Sequence, residues 1–314
     1  MEKFEISVII PSYNTGLYLQ EAVSSVLNQE GDFSLADVII VDDRSDDEIT
    51  KEVYDHLSSN KKVRIVENNG PRGPAAARNT GLTLAKGNWI AFLDGDDIYT
   101  EGSLQARCQI VDTFPGCKLA GGDFVFWRED GSLEEVNFFR GRSRTNEILK
   151  DAFALDQPIL LKRPVAEFIN ANIVHTGTVF VHMDLFKNIG FFDTSLFHAE
   201  DYQMWIRLSA ISDYAFTPKA LMLYRQHDAN ITKQDIPPGS WLIPAFEQLI
   251  DKYGLIEYRP IITQRLSVFH WQNAIYHRKK KNGIEAFKSS IHSLKLNPKN
   301  QDAWKSLLSA SLGR

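Results

Sequence analysis

Three carboxylates follow an apolar stretch of the chain within four positions. The run from Trp89 to Leu93 is uninterrupted apolar sequence, which predicts a strand buried on both faces. The carboxylates after it are Asp94, Asp96 and Asp97. Buried like charges repel, so such a cluster needs a cation or surrounding hydrogen-bond donors. Carboxylates hold Mg²⁺ or Mn²⁺ in part and leave other positions to water and phosphate oxygens. A solvated Asp-Gly turn is the alternative.

Strand and helix patterns alternate through the first hundred residues, with short connections between them. This alternation predicts βαβ units, hence an α/β fold with an open, mostly parallel sheet, Rossmann-like, with helices on both faces. Ligands of such sheets bind beyond the carboxyl ends of the strands. Every predicted strand end is polar: Ser12 to Asn14, Asp42 and Asp43, Asn68 to Arg72, and Asp94 to Asp97. The coincidence favours a nucleotide-type site at this edge.

The second half of the chain has a looser pattern. Residues 172–181 resemble a strand, and residues 128–171 are irregular apart from one helical pattern near residues 146–155. Earlier in the chain, just before Trp89, Lys86-Gly87 is typical of a helix stop with positive φ. We expect one domain over 1–235 and an all-helical extension over 236–314, outside catalysis. Small residues and a proline recur there as in a tetratricopeptide repeat, at Ala274, Ala286 and Pro298. One repeat cannot stack alone, so the extension should pack on the main domain, another copy or a partner.

Composition excludes several classes of protein. The 314 residues carry a net charge of −5, which gives no reason to expect nucleic acid as a partner. Two cysteines make neither a disulfide framework nor a metal site. Neither a signal peptide nor an apolar run of about 20 residues is present. We therefore expect a cytoplasmic protein. Peripheral membrane or protein contact through the C-terminal helices, and a homo-oligomer, are left open.

Seven spaced motifs between residues 4 and 230 resemble those of the family 2 nucleotide-sugar glycosyltransferases of the GT-A fold. They are VIIPSYN, VDDRSDD, GPAAARNTGL, FLDGDD, GFFDTSL, EDYQMWIRL and YRQH. The resemblance implies a donor pocket in which Pro11 and Tyr13 border the base and Asp43 accepts from the N3–H of uracil. Asn69, through its backbone, and Arg78 would complete the nucleoside and diphosphate site.

The same resemblance implies the catalytic groups. Asp94 would bind ribose, Asp96 would ligate Mn²⁺ or Mg²⁺, and His227 would close on the metal or diphosphate. Asp201 would be the general base, with Glu200 supporting it. Two simpler interpretations stay open: His227 as a surface histidine, and the acidic pair as a helix start that complements the helix dipole.

The implied reaction is inverting transfer of a sugar from a nucleotide sugar, UDP-sugar by the Asp43 assignment, to a glycan or lipid-linked acceptor hydroxyl. A dinucleotide-dependent dehydrogenase needs G-x-G-x-x-G after the first strand, and the chain has PSYNTG there. A sugar nucleotidyltransferase would need a glycine-rich N-terminal signature that is absent. A catalytically silent nucleotide-sugar-binding module, whose helical tail docks a partner, remains the alternative.

Overall fold

The computed structural model describes residues 4–128, 130–228 and 235–311. For residues 310 and 311 it describes only the backbone. Its strands are β1 (Phe4–Ser12), β2 (Phe33–Asp42), β3 (Val63–Glu67), β4 (Trp89–Phe92), β5 (Ile98–Tyr99), β6 (Leu119–Trp127), β7 (Ile159–Leu161), β8 (Phe180–His182) and β9 (Tyr214–Arg225). Its helices are α1 (Leu17–Leu27), α2 (Glu48–Leu57), α3 (Pro74–Leu84), α4 (Ser103–Thr113), α5 (Ser143–Ile148), α6 (Lys150–Leu155), α7 (Val165–Asn170), α8 (Met183–Ile189), α9 (Glu200–Ser209), α10 (Gly239–Asp251), α11 (Arg259–Lys279), α12 (Gly283–Leu296) and α13 (Gln301–Ser311).

The strands form one sheet in the order β3-β2-β1-β4-β8-β6-β9-β5, and β7 pairs with β9. From β3 to β4 every pairing is parallel. The chain reverses its direction across the sheet after β3. Right-handed crossovers therefore place α1 and α2 on one face and α3 on the other. This half has the predicted Rossmann-like form, and the α/β fold class is confirmed.

Beyond β4 the sheet is mixed, whereas the sequence predicted a mostly parallel one. Strand β8 is antiparallel to β4 and β6, and β9 is antiparallel to β5 and β7. The predicted strand over 172–181 is wrong for most of its length, since Thr176–Thr178 form a 3₁₀ turn before β8. A Cβ on Gly177 would come within 2.3 Å of the Met222 sulfur. Close packing against β9 thus replaces regular pairing there.

Gly87 lies against the first strand and does not cap a helix. Helix α3 ends earlier, with Ala85 as its cap, and Gly87 has no positive φ. Its N–H donates to Ser7 Oγ at 2.8 Å, and a Cβ would lie 2.6 Å from the carbonyl oxygen of Glu5. The glycine is needed because two backbones approach closely, so the prediction of a helix stop with positive φ was wrong.

The chain divides into two compact units. The first comprises Met1–Thr194 and Met204–Ala229, and the second Ser195–Gln203 and Asn230–Arg314. The predicted domains also change near residue 230, but the segment 195–203 groups with the helical extension. The division at residue 235 stays a prediction.

Within the second unit, helices α10 to α13 pack in sequence order. Ala274 and Ala286 are buried where α11 meets α12, and Pro298 lies in the link to α13. Ser267 Oγ is within 3.0 Å of Ser293 Oγ across the same pair of helices. Small side chains thus let these helices approach closely, as the repeat-like pattern predicted. Among the described residues, no helix is long and apolar enough to cross a membrane.

Candidate functional site

The predicted site residues of the first unit emerge at one edge of the sheet. The N–H of Asp43 donates to the carbonyl of Ser12, and that of Asn68 to the carbonyl of Asp42, both at 2.8 Å. These bonds extend the ladders of β1, β2 and β3 past their ends. Strand β4 runs parallel to β1 and delivers Asp94 at the same edge.

Two hydrogen-bond donors hold the carboxylate of Asp43 in place. One carboxylate oxygen accepts from the Asn68 side-chain amide at 2.6 Å, and the other from the N–H of Gly73 at 2.7 Å. The residue is only 7% exposed. Each carboxylate oxygen has two lone pairs, so acceptor capacity for a ligand N–H remains. The sequence placed Asn68 at a polar strand end without a role, and the structure shows that it fixes the orientation of this carboxylate.

Tyr13 offers an aromatic face, but Arg72 covers one side of it. The ring is 44% exposed, and the guanidinium carbon of Arg72 lies 3.9 Å from its centroid. The sequence named Arg72 as part of a polar strand end but predicted no contact with Tyr13. A base that stacks here must therefore use the other face of Tyr13 or take the place of Arg72.

Pro11 and Asn69 border the same edge. The carbonyl oxygen of Pro11 would lie 3.2 Å from a Cβ on Gly95. The end of β1 therefore abuts residues 94–97, which we call the acidic turn. Asn69 is exposed, and its side-chain oxygen accepts from Thr80 Oγ1 at 2.7 Å. Both positions are thereby held in place against neighbouring elements.

Arg78 and Asp94 form an ion pair. Arg78 Nη2 lies 2.9 Å from an oxygen of Asp94, and its side chain is only 5% exposed against 35% for the carboxylate. A buried guanidinium keeps its charge and offers several donors in a fixed plane. The pair thus presents a fixed positive group beside the acidic turn, where a diphosphate would need one.

Asp96 and His227, the two residues to which the resemblance assigned the metal, lie in contact. His227 Nε2 lies 2.9 Å from Asp96 Oδ2, and the histidine ring stacks on Tyr18 with centroids 5.2 Å apart. His227 is 9% exposed, so it is not a surface histidine. A carboxylate oxygen and an imidazole nitrogen are both metal ligands, which fits a divalent cation. Among the described residues no group of three or more His, Cys, Asp or Glu could hold a metal ion.

Arg225 supports this pair and was missed by sequence reasoning. Its guanidinium lies between two rings, 4.4 Å from the centroid of Tyr18 and 4.1 Å from that of Trp127. Its Nε donates to the carbonyl of Asp96 at 2.8 Å, and its backbone N–H to Asp97 Oδ1 at 2.9 Å. The YRQH stretch that signalled His227 also contained this arginine.

Asp97, the last residue of the acidic turn, is buried. It is 1% exposed, and its Oδ2 has no hydrogen-bond partner among the described residues. Burial, together with the charges of Asp96 and Asp94, raises the pKa of Asp97 well above its ordinary value. Its bond with Arg225 ties the turn to the end of β9.

Glu200 and Asp201 belong to the second unit and open helix α9. Ala199, directly before them, has a φ of 59°, a left-handed conformation that is strained for a residue with a side chain. Asp201 Oδ1 accepts from the N–H of Tyr202 at 2.7 Å, and Glu200 is 4% exposed. The surrounding structure therefore holds Ala199 in this conformation, which sets the direction in which α9 starts with its acidic pair.

The segment with this acidic pair is held by helix α10, the first helix of the extension. Gln203 Nε2 donates to Gln248 Oε1 at 2.6 Å, and the ring of Tyr202 packs edge-on against Phe246 at 5.3 Å. Gln248 also donates to Ser195 Oγ at 3.1 Å. That the extension lies outside catalysis stays a prediction.

Residues 7–115 match the family model described as Glycosyl transferase family 2. Over these residues the chain is similar to the family 2 glycosyltransferases. The match covers the predicted donor-site residues from Pro11 to Asp96, whereas Asp201 and His227 lie beyond it. A curated relative is the UDP-Glc:alpha-D-GlcNAc-diphosphoundecaprenol beta-1,3-glucosyltransferase WfgD of Escherichia coli. It is 33% identical over 35% of this chain and 42% of its own length. Other relatives are matched over 23–65% of their lengths, which is under two thirds.

Solved structures show the same fold. The S. aureus protein TarS, residues 1–349 in complex with UDP-GlcNAc, matches with a TM-score of 0.62 at 16% identity, over 98% of this chain and 88% of its own. The mannosyltransferase PcManGT of Pyrobaculum calidifontis, in complex with GDP-Man and Mn²⁺, matches with a TM-score of 0.61 at 16% identity, over 99% and 81%. The chain therefore has the GT-A fold.

Proposed function

We propose that the chain is an inverting glycosyltransferase that moves a sugar from a UDP-sugar to an acceptor hydroxyl with the help of Mn²⁺ or Mg²⁺. The observation that carries the proposal is the pairing of Asp96 with His227, two positions from the ion pair of Asp94 with Arg78. A diphosphate needs a divalent cation and a fixed positive group. Asp96 and His227 would supply ligands for the cation, and Arg78 would supply the fixed positive charge.

The donor assignment rests on the Asp43 pocket. A fixed carboxylate acceptor selects a base with an N–H donor, and N3–H of uracil is such a group. TarS was solved with UDP-GlcNAc and PcManGT with GDP-Man, so the fold alone does not choose the base. The stacking face of Tyr13 accepts any base, and discrimination therefore falls to Asp43.

The metal would be held by Asp96 Oδ2 and His227 Nε2, together with donor oxygens and water. When bound, such an ion stabilises the negative charge that builds on the leaving diphosphate. Arg78 adds a permanent positive charge on the same side of the site. Arg225 positions the Asp96 backbone, and Asp97 anchors the turn from below.

The acceptor chemistry is assigned to the acidic pair of the second unit. A hydroxyl is a poor nucleophile until a carboxylate within hydrogen-bond reach takes its proton. Asp201 would take that proton, and Glu200 would orient it. A single base on the face opposite the leaving group implies inversion, without the paired carboxylates of retaining hydrolases. The name of WfgD describes a lipid diphosphate-linked acceptor, which supports a lipid-linked or glycan acceptor here.

The deciding experiment is a thermal-shift panel of UDP, GDP, ADP and UDP-sugars, each with and without Mn²⁺. Ligands that bind only the native state raise its stability with affinity. UDP with Mn²⁺ should give the largest shift among the diphosphates. UDP release from UDP-sugars, with lipid-linked and soluble glycan acceptors, then separates an enzyme from a silent binding module. Absence of any nucleotide-dependent shift would overturn the donor site itself.

A further inference from the structure

The link between α11 and α12 carries an exposed cluster of cations. Arg278, Lys279, Lys280 and Lys281 are all exposed. The stretch 278–288 contains five cationic side chains and one carboxylate, although the whole chain has a net charge of −5. The local charge is opposite to that of the protein, so this tip attracts anions.

The backbone of this link is well ordered by its own hydrogen bonds. The N–H of Lys281 donates to the carbonyl of Arg278 at 2.9 Å, and that of Asn282 to the carbonyl of His277 at 2.8 Å. Asn282 then caps α12 by accepting from the N–H of Glu285 at 3.2 Å. The cations therefore project from a compact turn, whose arrangement exists before any ligand binds.

Most of these cations lack a counter-charge. Lys280 forms an ion pair with Asp235. No ion pair among the described residues engages Arg278, Lys279 or Lys281. The first two lie in the last turn of α11, where they complement the helix dipole. Lys281 lies beyond the helix and gains nothing from that dipole.

Large apolar side chains project directly after the cations. Ile284 is 70% exposed and Phe287 is 41% exposed. Their spacing of three places both on one face of α12, and Ile291, half-buried, continues that face. The opposite face of the helix packs inward through Ala286 and Ser290. We call residues 278–287 the basic-apolar tip.

We propose that the basic-apolar tip docks on the surface of an anionic lipid bilayer. Its unpaired cations match the charge of the headgroup phosphates, and Ile284 and Phe287 would enter the boundary between headgroups and acyl chains. The tip is exposed at every position from 278 to 284, which suits a deformable surface. An acidic protein would need a preformed shape to match it. This inference holds whatever nucleotide the first unit binds.

The test is co-sedimentation of the full chain with vesicles. Phosphatidylcholine vesicles are compared with vesicles that also contain phosphatidylglycerol, at low salt and at 0.5 M salt. Lys279→Glu with Lys281→Glu should lower binding to the anionic vesicles about 25-fold or more, at roughly fivefold per basic residue lost. High salt should weaken binding by the wild type in the same direction. Ile284→Ser with Phe287→Ser should also weaken it while leaving the preference for anionic lipid intact.

The matched control is Lys295→Glu with Lys299→Glu, which makes the same charge change at exposed positions in the last turn of α12 and just after that helix. This control should bind nearly as well as the wild type. Equal loss in both double variants would show nonspecific attraction and overturn the proposal. Failure of the wild type to bind anionic vesicles at low salt would also overturn it. An acidic protein would then be the remaining candidate partner of the tip. If charge reversal lowers the melting temperature, Lys279→Gln with Lys281→Gln makes the same comparison.

Discussion

His227 Nε2 and Asp96 Oδ2 lie 2.9 Å apart, although 131 positions separate the two residues in the chain. Strand β9 makes this possible, because it pairs with β5 directly after the acidic turn and ends at Arg225. The arginine then bonds to the backbone of Asp96. The contact is thus a product of the sheet topology and is held by a second, independent interaction.

Asp96→Asn should abolish metal-dependent UDP binding, because it removes the charge that a hard divalent cation needs. We expect the Mn²⁺-dependent part of the UDP thermal shift to disappear while the melting temperature without ligand stays near that of the wild type. Asp55→Asn, an exposed carboxylate on α2, is the matched control. His227→Ala should lose part of the shift. An unchanged shift in Asp96→Asn would show that Asp96 belongs to a solvated turn and does not bind the metal.

Base selection should depend on Asp43. UDP with Mn²⁺ should stabilise the wild type more than GDP or ADP at equal concentration, because uracil N3–H is the donor that we assign to this carboxylate. Asp43→Asn should narrow the difference between UDP and GDP, although loss of the bond from Gly73 also costs some stability. The measurement is calorimetric affinity for each diphosphate. Tighter binding of GDP by the wild type would contradict the assignment.

The first half of the fold was predictable because local patterns determine it. Alternating apolar strands and amphipathic helices with short links leave few topologies, and right-handed crossovers fix the rest. The antiparallel pairings of β8 and β9 were not predictable, since they join segments far apart in sequence. Gly87 shows the same limit. Its sequence neighbours suggested a helix end, whereas its role is set by a strand about 80 positions earlier.

The candidate site divides in the same way. Acidic residues at strand ends and the spaced motifs pointed to Asp43, Asp94 and Asp96. The stacking of Arg72 and Arg225 on aromatic rings was not predicted, because an arginine on a ring face has no sequence periodicity to reveal it. Only the folded chain brings each guanidinium to its aromatic partner.

Arg225→Lys tests whether the stacked arginine positions the metal ligands. Lysine keeps the charge but has neither the planar stacking surface nor the Nε donor to the Asp96 carbonyl. We expect Mn²⁺-supported UDP affinity to fall about 10-fold, at the scale of one lost charge-assisted hydrogen bond. UDP affinity without metal should change little. Arg128→Lys, an exposed arginine paired with Glu134, is the control and should have no effect.

Gln248→Met tests whether helix α10 supports the acidic pair. The change keeps the side-chain volume but removes the acceptor for Gln203 and the donor to Ser195. An unsatisfied buried amide costs about 1–3 kcal/mol, which should loosen the start of α9. Sugar transfer should fall about 10-fold while UDP affinity holds, because small misplacements of a catalytic group are costly. Glu247→Gln, exposed and adjacent, should leave transfer unchanged.

Asp201→Asn separates the enzyme from a silent binding module. The substitution keeps the volume of the side chain and its acceptor bond with Tyr202 while removing the proton acceptor. Positioned proton transfer contributes about 10²–10⁴-fold, so transfer should fall by that much. UDP and Mn²⁺ binding should persist, because every predicted donor and metal residue belongs to the other unit.

The controls for Asp201 come from the same unit. Glu200→Gln should lose less activity, since it would orient the base and not take the proton. Asp251→Asn, exposed on α10, should lose none. Retained transfer in Asp201→Asn would move the base assignment to Glu200, and lost UDP binding would place the acidic pair in the donor pocket. A wild type that binds UDP with Mn²⁺ but transfers no sugar across a broad acceptor panel would favour the silent module, because binding and chemistry would then be separated in the parent itself.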